Sequence, residues 1–212
     1  MTAPSTANDK GGIPISAAGV GKSNPRRRQR DDLLRLHVPP YCGMFDAANA
    51  ADLVALAAED GVTIEYRPPI SFLDSQSKGT SYSTRAANAA AIVADKAPEQ
   101  FAAFVTAMFE NQPKEGTAGP TDEEIADIAV EVGVPQDVAD TFDDTVDGTY
   151  EVGEEKEQRT GTWRTFAEWV SAATHQMQLD RGGKVGTPTV RSTVRTGRAP
   201  RATTACSTSR VR

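Results

Sequence analysis

Leu34, Leu36 and Val38 alternate with Arg35 and His37, a period of two that predicts a strand. A helical stretch follows it, with Phe45, Asn49, Leu53 and Leu56 falling on or near one face and Gly61 placed to stop it. Val62, Ile64 and Tyr66 then alternate with Thr63 and Glu65, so a second strand is expected to run up to the Pro68-Pro69 pair. Strand, helix and strand in so short a span form a βαβ unit. The pattern therefore points to the α/β class.

The next block is helical. Residues 83–95 are nearly all alanine, with Ile92 and Val93 among them. Pro98 opens a helix in which Phe101, Phe104, Val105, Met108 and Phe109 make a core-facing stripe. Thr121 and Glu124 have the spacing of a capping box, and Ile125, Ile128, Ala129 and Val132 follow it up to Gly133. A shorter helix is expected from Pro135 to Val146. A longer one is expected to carry Trp163, Phe166, Val170, Thr174 and Met177 on one face. Residues 184–190 read as a strand with a turn at Thr187-Pro188. From Arg191 onward no period of 2 or 3.6 survives. Residues 1–28 are rich in Gly, Pro, Ser and Ala without periodicity, and disorder is expected there. The resulting division is a disordered segment 1–28, a domain over 29–190 with a helical insertion at about 80–165, and a disordered tail 191–212.

Charge sharpens this division. The net charge is −6, which argues against a nucleic-acid partner. Residues 40–190 hold 26 of the 29 acids and only 10 of the 23 Lys and Arg, whereas the tail beyond Val190 has six Arg and no acid. A basic tail of this kind would suit an acidic partner or a membrane surface. No apolar run is long enough to span a bilayer, and the N-terminus shows no apolar signal-peptide core, so the chain as written carries no visible export signal. Two cysteines, Cys42 and Cys206, exclude a disulfide scaffold or a zinc cluster.

The chemistry centres on Pro40-Tyr41-Cys42, which follows the first predicted strand and opens the helix. Some 145 residues later comes Gly186-Thr187-Pro188-Thr189-Val190. In this order the two segments resemble the second half of a Cys-Pro-Tyr-Cys redox motif and the cis-proline loop of the DsbA-like thiol–disulfide oxidoreductases, members of the thioredoxin superfamily. Phe109-Glu110-Asn111-Gln112 and Thr121-Asp122-Glu123-Glu124-Ile125 are similar in style to segments of that family's helical insertion. The resemblance covers roughly residues 30–190. It implies a thioredoxin-like fold with an inserted helical subdomain and no cofactor beyond the thiols. The partners it implies are protein thiols, protein disulfides or extended peptides, met in the cell envelope. Cys42 takes the resolving role, with Pro40 and Tyr41 as the dipeptide between the cysteines. Thr187 and Pro188 form the substrate-facing loop, with a cis bond between them.

One residue departs from this pattern: Pro39 stands where the first cysteine should be. In the redox motif the first thiol attacks a substrate disulfide and the second, one turn inside the helix, resolves the mixed disulfide. Only half of that pair is present. The codons offer an account. Arg35-Leu36-His37-Val38-Pro39 can be written CGA CTA CAT GTG CCC, and one base later this reads Asp-Tyr-Met-Cys-Pro. Arg191 to Arg195 behave likewise, giving Val-Asp-Gly-Ala after two skipped bases. The expectation is that residues from about 26 to 38, and from 191 on, are out of frame; independent resequencing that finds one unbroken frame would refute it.

Two rival functions use the same residues. The chain could be a non-catalytic thioredoxin-like module that holds extended peptides, or a glutathione-linked transferase or isomerase on the same fold. The acid-rich stretch from Asp143 to Glu154 nearly fits a calcium loop, but Thr145 stands at its third position, and solvated acids at a helix end are the better reading, with no metal. His37 and His175 are isolated, and Trp163 and Trp169 read as core or interface aromatics.

Overall fold

The computed structural model describes residues 2–24, 28–30, 32–33, 40–67, 71–152, 157–179, 182 and 189–190. Eight strands and six α-helices lie within them: β1 (Ile13–Ser16), β2 (Gly19–Val20), β3 (Arg28–Arg30), β4 (Asp32–Leu33), α1 (Pro40–Ala57), β5 (Val62–Tyr66), α2 (Tyr82–Lys96), α3 (Phe101–Glu110), α4 (Asp122–Glu131), α5 (Gln136–Ala139), β6 (Thr145–Val152), β7 (Glu157–Arg164), α6 (Ala167–Leu179) and β8 (Thr189–Val190).

The main sheet has the order β2-β1-β5-β3. β5 is its centre, and all five of its residues are buried, Thr63 and Glu65 included. A strand covered on both faces loses the polar-out alternation that its sequence displays. Glu65 is accommodated because Arg67 Nε lies 2.7 Å from its Oε1 and Asn8 Nδ2 donates to its Oε2 at 2.8 Å. β3 runs parallel to β5, with Arg28 opposite Val62 and Arg30 opposite Ile64, and α1 is the crossover between them. The βαβ unit is therefore present. Its first strand lies at Arg28–Arg30, ahead of the alternating Leu34, Leu36 and Val38, which fall outside the described residues. α1 ends at Ala57, and Gly61, at φ +82°, lies in the turn that enters β5 rather than at the helix end.

Residues 2–24 are ordered, contrary to the disorder expected of them. β1 pairs antiparallel with β5 over Ile13↔Tyr66 to Ser16↔Thr63, and it turns back into β2. The cause is Ile13-Pro14-Ile15, a short apolar run inside a Gly-rich context. Ile13 is buried against the core, and the Asn24 N–H donates to Thr63 Oγ1 at 2.9 Å.

α2 is the hub of the helical part. Its alanines let neighbouring helices approach closely, and residues 86–94 are buried all the way round. The whole predicted stripe Phe101, Phe104, Val105, Met108 and Phe109 of α3 is buried. Thr121 caps α4: the Glu124 N–H donates to Thr121 Oγ1 at 3.1 Å, and the Thr121 N–H donates to Glu124 Oε2 at 2.8 Å. Asn88 is fully buried and uses both ends of its amide, donating to Phe142 O at 3.1 Å and accepting from the Phe166 N–H at 2.8 Å. It thereby ties the end of the α5 region and the entry to α6 to the hub.

Two predicted helices need correction. The one expected over Pro135 to Val146 is four residues long, and Thr145–Val152 is strand. Trp163 does not lie on the α6 face; it sits in β7 opposite Val146, is 37% exposed, and α6 begins only at Ala167. The hairpin from Thr145↔Arg164 to Val152↔Glu157 is dense in Thr, Val and Gly. β-branched residues favour a pleated surface and lower helix stability. The acid-rich stretch thus lies along a strand instead of closing a calcium loop, and the described residues contain no group of three or more potential metal ligands. Trp169 is buried in the core, and His175 is exposed.

Candidate functional site

α1 places Cys42 in its first turn. Two physical consequences follow from that position. The unpaired N–H groups and the positive end of the helix macrodipole favour a thiolate there. Against this, Cys42 is 1% exposed and belongs to the core cluster, and burial disfavours the same charge.

The next residue explains how α1 is held. The Gly43 N–H donates to Gln112 Oε1 at 3.2 Å, which satisfies one of the orphan donors of the helix start. A Cβ on Gly43 would lie 2.8 Å from that oxygen, the movable end of a side chain, and 3.4 Å from Phe109 O, so a larger residue here would push Gln112 aside. Among the described residues the buried Gln112 Nε2 has no hydrogen-bond partner. Met44, one residue further on, is 66% exposed.

Asp46 is the residue that reading the sequence missed. It follows Cys42 by four positions, which puts both side chains on one face of α1. It is only 2% exposed. Burial pushes its carboxyl up from the usual range to about 6; a side-chain hydrogen bond with Thr106 pulls the other way, and the nearby Glu110 carboxylate adds to the rise. Thr106 and Glu110 both belong to α3, and Gln112, which reaches the start of α1, lies two residues beyond its end. The available signal was the i, i+4 spacing from the cysteine, which marks an acid on the face that must be buried.

The structure locates the other predicted site residues unevenly. Pro40 and Tyr41 form the start of α1, and nothing is described of their side chains. Pro39, Thr187, Pro188 and Cys206 lie outside the described residues, as does the expected cis Thr187–Pro188 bond. β8, which begins directly after Pro188, pairs antiparallel with β4, with Leu33 opposite Thr189 and Asp32 opposite Val190. Of the two segments singled out above, the described residues thus place Thr189 and Val190 beside a strand that precedes α1 in sequence. A groove of about 640 Å³ opens elsewhere, lined among others by Pro113, Pro120, Glu124, Ile128 and Glu131, and Cys42 is not part of its wall.

Comparison with known proteins agrees with this architecture. No family model matches the chain. Over 106 residues, 48% of its length, the chain is 36% identical to the serine/threonine-protein kinase PknE of Mycobacterium tuberculosis, and the match spans only 19% of that protein. Among solved structures it is similar to the thiol-disulfide oxidoreductase MdbA of Corynebacterium matruchotii, with TM-score 0.62 and 18% identity over 90% of this chain and 84% of that one. The disulfide bond oxidoreductase DsbG of Mycobacterium tuberculosis gives TM-score 0.61 and 22% identity over 87% and 79%. Oxidised DsbA from the same organism gives 0.59 and 22% over 85% and 81%. The chain has a DsbA-like fold, mixed helix and sheet.

Proposed function

We propose that this chain is a DsbA-type protein thiol–disulfide oxidoreductase carrying half of its redox pair, so that its exchange turnover is impaired as written. The observation that carries the reading is Cys42, placed in the first turn of the helix that crosses over in the βαβ unit. The fold likeness supports it, as does the pairing of β4 with β8, which sets Thr189, the residue after Pro188 in sequence, opposite Leu33. In this reading Cys42 is the resolving thiol, and Pro40, Tyr41, Thr187 and Pro188 meet the substrate, a protein thiol or disulfide in an extended peptide. The proposed place of action is the cell envelope. No helix among the described residues is long and apolar enough to cross a membrane.

The chemistry follows from what is missing. A dithiol cycle needs one thiol to attack and a second to release the product. With Pro39 at the attacking position, Cys42 can form a mixed disulfide, but the motif supplies no second thiol to resolve it. Pro39 also has no N–H to offer an incoming thiolate or peptide. Incubating a Cys206→Ser form with a cystine-bridged peptide and following it by non-reducing mass spectrometry tests this. A single persistent Cys42–peptide adduct is expected. Release of the peptide in reduced form, cycle after cycle, would refute the half-motif reading. Pro39 also favours a second reading, a peptide-holding module that does no exchange, and failure of Cys42 to form any adduct while the peptide still binds would select it.

A further inference from the structure

The groove of about 640 Å³ serves no step of thiol exchange, since Cys42 is not part of its wall. One side of it is a face of α4, where Glu124, Asp127, Ile128 and Glu131 recur at helical spacing. The other side is the loop that carries Pro113 and Pro120. That loop is pinned from behind. The Gly116 N–H donates to Gln76 O at 3.0 Å, and Arg85 Nη2 donates to Pro120 O at 2.8 Å. Gly119, at φ +72°, lies so near the Tyr82 ring that a Cβ there would stand 2.7 Å from it. The groove is therefore built before anything enters it. Its charge has one sign, because three carboxylates line it and no Lys or Arg does. Glu124, Asp127 and Glu131 are exposed, while Ile128, Pro113 and Pro120 are half-buried, which gives an apolar floor under an acidic rim. Glu124 lends one oxygen to the Thr121 N–H. Asp127 and Glu131 have no ion-pair partner among the described residues. Of the nearby cations, Arg85 and Arg164 are already held by Asp122, and Lys114 stands next to Glu115.

Such a groove fits an extended cationic segment with proline or small apolar residues between its charges. This chain ends in one. Residues 191–212 hold six Arg and no acid, and Arg198-Ala199-Pro200-Arg201 has the matching pattern. In the extended form that proline favours, Arg198 and Arg201 stand about 9 Å apart. Glu124 and Glu131, two turns apart on α4, are about 10 Å apart along its axis. The tail is also long enough. From Val190 in β8 to Arg201 the extended chain spans up to about 36 Å, roughly twice the radius of gyration of about 17 Å expected of a compact chain of this length. We propose that this groove docks the chain's own basic tail, with Arg198 and Arg201 on the α4 carboxylates and Pro200 over Ile128. Exposed ion pairs are weak one by one, but tethering keeps the effective concentration of the tail high. The contact belongs to the chain as written and stands whichever frame its codons came from. It is independent of the redox reading, because Cys42 is in neither the groove nor the tail.

The test puts a nitroxide on Cys206, five residues beyond Arg201, in the full chain with Cys42→Ala, so that the label has one site. Paramagnetic broadening of backbone amides is then read by NMR. The amides of Asp127, Ile128 and Glu131 are expected to broaden most. Salt at about 1 M, which screens charges beyond roughly 3 Å, should remove the effect. Arg198→Ser with Arg201→Ser should reduce it about fivefold, the size set by two exposed ion pairs. Asp127→Lys with Glu131→Lys should do the same, and adding Arg198→Glu with Arg201→Glu to that variant should restore it. Restoration by the swapped charges is a result that a damaged fold cannot give. Broadening spread evenly over the surface overturns the proposal, as does broadening at the groove that neither salt nor the arginine substitutions change, or a swap that restores nothing. A mixture of isotope-labelled chain without nitroxide and nitroxide-bearing chain without isotope separates the sources. No broadening is expected there. Equal broadening in the mixture would make the occupant a second copy's tail and overturn the assignment to the chain's own.

Discussion

At the scale of single residues, Asp46 makes the clearest demand. Its carboxyl is raised by burial from 3.8 to about 6. Between pH 4 and 6 the folded state therefore holds a proton that the unfolded chain has released, and rising pH through this window costs stability. A shift of about 2 pH units corresponds to roughly 3 kcal/mol. Asp46→Asn, which mimics the protonated carboxyl, is expected to stabilise the fold at pH 7 by about 2–3 kcal/mol and to have little effect at pH 4. Urea unfolding of both proteins at the two pH values checks it, and an equal effect at both would show that the carboxyl does not titrate as stated. Gln112 makes a smaller prediction. Gln112→Ala removes the acceptor of the Gly43 N–H. It should cost about 1 kcal/mol and speed exchange of the Gly43 amide; unchanged exchange would mean that the bond does not hold the start of α1.

At the scale of elements, the joints matter more than the helices themselves. Asn88 closes two of them with one buried amide. Asn88→Ala leaves the Phe166 N–H and the Phe142 carbonyl without these partners, and a loss of about 2–4 kcal/mol is expected in denaturant unfolding. A loss under 1 kcal/mol would show that other groups satisfy them. Elements whose own sequence sets their structure were legible: β5 from its alternation, α3 from its aromatic stripe, α4 from its capping box, each found where the pattern put it. Elements made by tertiary partners were not. β1 is short and contains Pro14, and it is a strand because β5 offers it an edge. The β6–β7 hairpin is held by cross-strand pairing such as Val146 with Trp163, and neither strand announces its partner. At the candidate site, the position of Cys42 at a helix start was legible in the sequence. Asp46 was not, because burial of an acid depends on α3 being laid over it.

At the scale of the whole molecule, the order of elements does the work of bringing distant segments together. A central β5 accepts β1 on one side and β3 on the other, and β4 meets β8 near the chain's end. The helical part from α2 to α6 lies between β5 and β8 in sequence and packs around α2. Such a scaffold is specified by its buried core, to which the described residues supply dozens of side chains, so replacing Pro39 should leave it standing. The central claim is that the scaffold belongs to a disulfide-exchange protein whose missing part is one thiol. Insulin-disulfide reduction by the unmodified chain and by Pro39→Cys, measured side by side, tests it most directly. The account predicts negligible turnover by the first and clear turnover by the second, with a lowered thiol pKa at the new cysteine. Strong turnover by the unmodified chain, or none by a folded Pro39→Cys protein, would contradict it.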